Sequence, residues 1–156
     1  VPQMEVIMPD PRTILLAGLL SGGGAMAWTL FEFAMGWHNQ HLDVGAKTGF
    51  VAVIFPVVAI VWALHRARQA GGGQLRWRSA LATGLGVSAI SAAIGLAFFA
   101  AYYTIINPEF VAVMQARGAA VDVPSQLAAV IMGSLVVGMA VTVIATLVMR
   151  RGGQSE

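Results

Sequence analysis

The feature that most constrains this chain is an interval of 30 consecutive uncharged positions between Arg78 and Glu109. No soluble fold needs such a run, whereas a helix of ~20 apolar residues spans ~30 Å of hydrocarbon. Its margins carry interfacial markers, Arg76, Trp77 and Arg78 at one end and Tyr102 and Tyr103 at the other. Proline disfavours helical geometry in the residue before it, so Asn107–Pro108 is the expected stop. The stretch reads as a transmembrane helix over about residues 79–106.

Composition extends that reading to the whole chain. Of 156 residues, 58% are hydrophobic and 10% charged, against about 25% charged in soluble domains. The mean hydropathy of +0.77 agrees. A pI near 9.7 would fit a nucleic-acid binder, but a net charge of +2 is too small, and the arginines sit at span ends where they set topology. There is no cysteine, which excludes disulfides, iron–sulfur clusters and thiolate metal sites.

Three further spans follow from hydropathy, at about residues 13–35, 48–64 and 126–149. Residues 1–12, with three prolines, read as an irregular N-terminal tail, and 151–156 as a C-terminal tail. A leading valine is consistent with a start at Met4 or Met8. The run from Ile14 to Ala27 can also be read as a signal-peptide core with a cleavage site at Ala25–Ala27, but the residues before it lack the positive bias of a signal peptide. Pro56 falls near the middle of the second span, where a proline bends a helix and frees a carbonyl. After Pro108 a short helix is expected, with Asn107 as its cap, Pro108 at its first position and Gly118 near its end. Phe110, Val113 and Met114 share one side of it and could lie on the membrane surface.

With four spans, both termini and the middle loop share a side. Seven basic residues lie there (Arg12, Arg66, Arg68, Arg76, Arg78, Arg150 and Arg151), against Lys47 and Arg117 opposite. The expectation is an all-α, four-helix transmembrane bundle in a bacterial inner membrane with both termini cytoplasmic. Small residues mark faces where helices can approach closely in lipid: Gly18 and Gly22 on the first span, Gly84, Ser88 and Gly95 on the third, Gly138 on the fourth. Those faces serve packing within the bundle or recruit a second copy or a membrane-complex partner.

The chemistry-bearing residues are few. Glu32 is the one acidic residue inside a predicted span, and an intramembrane carboxylate is a functional candidate by default. His38 and His41 follow in the first connection, three apart and so on one face of a helix. Together the three could form a two-histidine, one-carboxylate metal site or a polar cluster that orders the loop. On a continuous helix, His38 would be turned ~240° from Glu32, so convergence requires a chain break at Gly36. No cofactor is evident otherwise. No P-loop, G-x-S-x-G or H-E-x-x-H is present, so enzyme activity is not expected. The function indicated is a non-enzymatic structural or accessory membrane subunit. The alternative is a small ion-, metal- or solute-handling protein using the Glu32, His38 and His41 cluster, or a pH sensor using the two histidines.

The stretch GGGQLRWRSALATGLGVSAISAAIGLAFFAAYYTIINPEF resembles the core of the bacterial DUF4199 family, with its basic glycine loop, aromatic-rich span end and I-N-P-E-F step. FEFAMGWHNQHLDVGAKTGF is similar to that family's first connection. On this resemblance Glu32, Gly36, His38, His41, Thr48, Pro56, Asn107 and Pro108 stand at recurring family positions, and the likeness runs over about residues 13–150. It implies a four-span membrane protein and supplies no activity.

Overall fold

The computed structural model describes residues 10–151. Met4, Met8, most of the expected N-terminal tail and residues 152–156 lie outside the described residues. The described chain is helical throughout: α1 (Pro11–Ala34), α2 (Leu42–Thr48), a 3-10 segment (Gly49–Val53), α3 (Ile54–Ala70), α4 (Trp77–Ala101), a π-helical segment (Tyr102–Ile106), α5 (Phe110–Ala116) and α6 (Val123–Arg151). Four continuous helical runs of 24, 29, 30 and 28 residues are apolar enough to cross a membrane. Their outward faces confirm the solvent they need. Leu16, Ile54, Val136, Ile144 and Val148 are each more than half exposed, an apolar surface that water-soluble monomers rarely carry.

Helix starts follow from local chemistry. The Asp10 carboxylate accepts from Arg12 N, Thr13 N and Thr13 Oγ1, so α1 begins at Pro11, two residues before the expected span. Asp122 and Ser125 make a reciprocal cap for α6, which starts at Val123 rather than near residue 126. The Thr13 and Ser125 hydrogen bonds hold the Asp10 and Asp122 carboxyls below the ordinary carboxylate range.

Pro56 falls near the middle of the second membrane-crossing run, at the point where that run changes helix type. It occupies the first turn of α3, just after the 3-10 segment, where its missing N–H costs little. Asn107 does not cap α5 with its side chain, and Pro108 and Glu109 form a turn before α5 starts at Phe110. Phe110 stacks on Tyr103 at 5.8 Å, so α5 packs onto the bundle end.

The expected small-residue faces are where the spans meet. A methyl group built on Gly18 would lie 2.5 Å from Ile90, and one on Gly22 would lie 2.9 Å from Ile94. Gly86 faces Ile14 in the same register, so α1 and α4 run parallel. Gly84 faces Thr142, Ser88 faces Gly138 and Gly95 faces Val130, an antiparallel register between α4 and α6. α4 thereby becomes the central helix, touching α1, α3 and α6. The hydroxyls trapped at these seams are satisfied locally: Thr83, Ser88, Thr142 and Thr146 each donate to the carbonyl four residues back. Gly18, Gly22, Gly84, Ser88, Gly95 and Gly138 are all occupied within one chain.

Two core clusters result. One, around Ala17, Ala59, Ile60, Ala63, Leu64 and Val87, fills the arginine-rich half of the bundle. The other, around Phe98, Tyr102 and Tyr103, fills the opposite end together with Phe33, Phe99 and Phe110. Tyr102 and Tyr103, expected as interfacial anchors, are 1% and 7% exposed and belong to that second core.

Candidate functional site

The second core holds the polar site, and Gly36 creates it. α1 ends after Glu32, and Gly36 takes a φ of +74°, the left-handed geometry that glycine adopts without steric cost. Trp37 N then returns to Glu32 O at 2.9 Å, and the Gly36 carbonyl accepts from Asn39, Gln40 and His41. This is the break the sequence required. It folds the connection back so that His38 Nε2 lies 3.3 Å from Glu32 Oε2.

Glu32 is 4% exposed. Its second oxygen is reached from α2, where Thr48 Oγ1 donates to Oε1 at 2.5 Å. α2 can come this close because Gly45 lies against the chain of the loop: a methyl there would be 2.6 Å from the Trp37 carbonyl oxygen. On the far side, His38 Nδ1 lies 2.5 Å from the Tyr102 hydroxyl. Asn107 Nδ2 donates to that hydroxyl at 3.1 Å and to Asn39 Oδ1 at 3.0 Å. The π segment makes the last contacts possible. Asn107 N bonds to Tyr102 O five residues back, which brings the two side chains onto one face, whereas α-helical spacing would set them far apart.

The hydrogen-bond logic closes around one tautomer. With Glu32 as the carboxylate, an acceptor only, His38 carries its hydrogen on Nε2. Nδ1 then accepts from the Tyr102 O–H, the Tyr102 oxygen accepts from one Asn107 N–H, and the other Asn107 N–H goes to Asn39. Every donor has an acceptor. The aromatic shell is equally defined, with the His38 ring edge-on to Tyr102 at 5.8 Å and 5.6 Å from Phe110. Among the described residues His38 is the only ion-pair partner of Glu32.

Two of the three expected cluster residues meet, and one does not. His41 precedes α2 as its N-terminal flanking residue, is exposed and caps nothing with its side chain. Among the described residues no three His, Asp or Glu side chains are grouped so that they could hold one metal ion. His65 bonds Gln69 at the other end of the bundle. Sequence reasoning missed Tyr102 and Asn39 as site residues, and gave Asn107 the role of cap to the following helix. Periodicity could not reveal the first pairing, because residues five apart share a face only where the helix is π.

No curated protein and no solved structure shows a match to this chain. Residues 16–151 match the family described as protein of unknown function, DUF4199. That match takes in most of α1, both connections at the polar end and the other three membrane-crossing runs, so this chain belongs to the DUF4199 family.

Proposed function

We propose that this is a non-enzymatic, proton-responsive membrane protein of a bacterial inner membrane, with both termini cytoplasmic and the Glu32–His38 pair on the extracytoplasmic side. The observation that carries this reading is that a carboxylate buried at the end of a span has a histidine as its ionisable partner. Histidine is the side chain whose charge ordinarily changes near neutral pH. The seven-to-two distribution of basic residues supports the orientation.

The geometry says what a proton would do. It enters at His38 Nδ1, the one lone pair of the ring not already carrying hydrogen. The Nε2–H bond to Glu32, already charge-assisted by the carboxylate, then becomes a full ion pair. Nδ1, however, turns from acceptor to donor. The Tyr102 oxygen now faces two N–H groups, from His38 and Asn107, and its own hydrogen loses its acceptor. Leaving a buried hydroxyl hydrogen unpaired costs about 1–3 kcal/mol. Protonation therefore tightens the first connection on α1, reverses the bond between His38 and Tyr102, and leaves the Tyr102 hydroxyl hydrogen of the π segment unpaired. Tyr102 and Tyr103 of that segment and Glu32 of α1 are the ionisable groups packed around the network. The packing glycines are covered within the chain. An accessory role with a partner would run through the apolar outer faces.

The test is hydrogen exchange on protein in lipid nanodiscs at pH 5.5 and 8, read as protection factors. Residues 102–107 should lose protection at the lower pH in the wild type, and His38→Gln should abolish that dependence. Equal protection at both pH values, or the same change in His38→Gln, would refute the proposal.

A further inference from the structure

The opposite end of the bundle carries a second polar feature that the Glu32 network does not explain. Arg68 from the last turns of α3, Arg76 from the loop before α4 and Arg150 from the end of α6 converge on one cleft of about 290 Å³. Leu75 and Met149 line the same cleft. Among the described residues none of the three guanidinium groups is within ion-pair distance of a carboxylate. Three like charges gathered from three elements, with no carboxylate of the described residues paired to them, favour an anion between them.

Two of the three arginines are oriented by contacts within the chain. Arg68 Nε donates to the Gly73 carbonyl at 2.8 Å, and Gly73 presents that carbonyl from a left-handed φ of +87°. Arg150 lies over the Trp77 ring at 5.5 Å, a cation–π contact that fixes its direction. Leu75 is buried and pins the loop between them. A guanidinium fork already oriented loses little freedom on meeting a phosphate, which it can bind through two parallel hydrogen bonds.

We propose that this cleft is a binding site for a phosphate oxyanion, supplied by the headgroup of an anionic phospholipid. The lipid is favoured over soluble phosphate by position. The cleft lies where the apolar faces of α4 and α6 end at Trp77 and Arg150, the level at which lipid phosphates sit, and Leu75 and Met149 give it an apolar side that an inorganic ion would not use. Basic pockets between membrane helices are the known chemistry of headgroup recognition.

The experiment is detergent-solubilised full-length protein titrated with phosphatidylglycerol, phosphatidylcholine or inorganic phosphate, with binding read by native mass spectrometry and thermal midpoint. Phosphatidylglycerol should bind at one saturable site and raise the midpoint, and phosphatidylcholine should do neither. Arg68→Gln, Arg76→Gln and Arg150→Gln should each weaken binding about fivefold, while Arg12→Gln should leave it unchanged. Arg68→Gln also removes the bond to Gly73, so Arg76→Gln, exposed and without such a bond, separates loss of the ligand contact from loss of loop structure. An equal response to inorganic phosphate would overturn the lipid assignment. Equal weakening by Arg12→Gln would show diffuse attraction to an anionic surface and overturn the site.

Discussion

Gly138→Ala and Gly133→Ala lie little more than one helical turn apart on α6 and should move stability in opposite directions. Replacing a helix-interior glycine by alanine gains about 1 kcal/mol from backbone conformational freedom. At Gly133 nothing lies within 4 Å of the new methyl, so the gain stands alone. At Gly138 the methyl would overlap the Ser88 hydroxyl and lie 2.9 Å from Ser88 Cβ. Ser88 cannot step aside: it is 2% exposed and its hydroxyl is bonded to the Gly84 carbonyl at 2.7 Å. Overpacking of this kind costs about 1–3 kcal/mol. The conformational gain cancels between the variants, so their difference isolates the overpacking, a factor of about 5–150 in the unfolding equilibrium. Sodium dodecyl sulfate titration of protein in mild detergent, followed by circular dichroism, reads both midpoints. Ser88→Gly added to Gly138→Ala should restore most of the loss, because the two side chains are direct neighbours. If Gly138→Ala matches Gly133→Ala, α4 and α6 do not meet at this seam.

Gly36→Ala should destabilise by about 1–2 kcal/mol, the cost of a left-handed residue with a Cβ, and Gly36→Asn should lose less; the same denaturant titration checks both. Gly45→Ala should release α2 from the Trp37 carbonyl, seen as faster hydrogen exchange over residues 42–48 with α1, α3, α4 and α6 still protected; unchanged exchange there would contradict the packing. The Asp10 and Asp122 carboxyls are held below their ordinary range, so their contribution is complete above the unfolded value and is lost as pH falls through it toward the folded one. The first turns of α1 and α6 should fray below about pH 4, and Asp122→Asn should remove that dependence at residues 123–126, as measured by exchange protection between pH 7 and 3.

The membrane-crossing architecture was legible because its cause is local. A long uncharged run has to be helical in hydrocarbon, since every backbone group must find its partner within the segment. Small residues at four-residue spacing mark the seams for the same reason, as only they let backbones approach. Even the site was half legible: Glu32 stood out as a charge out of place, and Gly36 as the break that could turn His38 back onto it. What only the tertiary structure decided is which side chains meet across segments. Tyr102 was read as an interfacial anchor because tyrosines at span ends usually are, yet a π turn rotated it inward to His38. His41, three residues from His38, was separated from it because α2 begins at that point and points its own polar contact, Thr48, at Glu32. Pro56 follows directly on a 3-10 segment that no periodicity announces. Local sequence sets where the chain must be helical and where it must bend, while pairings such as His38 with Tyr102, 64 residues apart, depend on helix rotations that only the packed bundle determines.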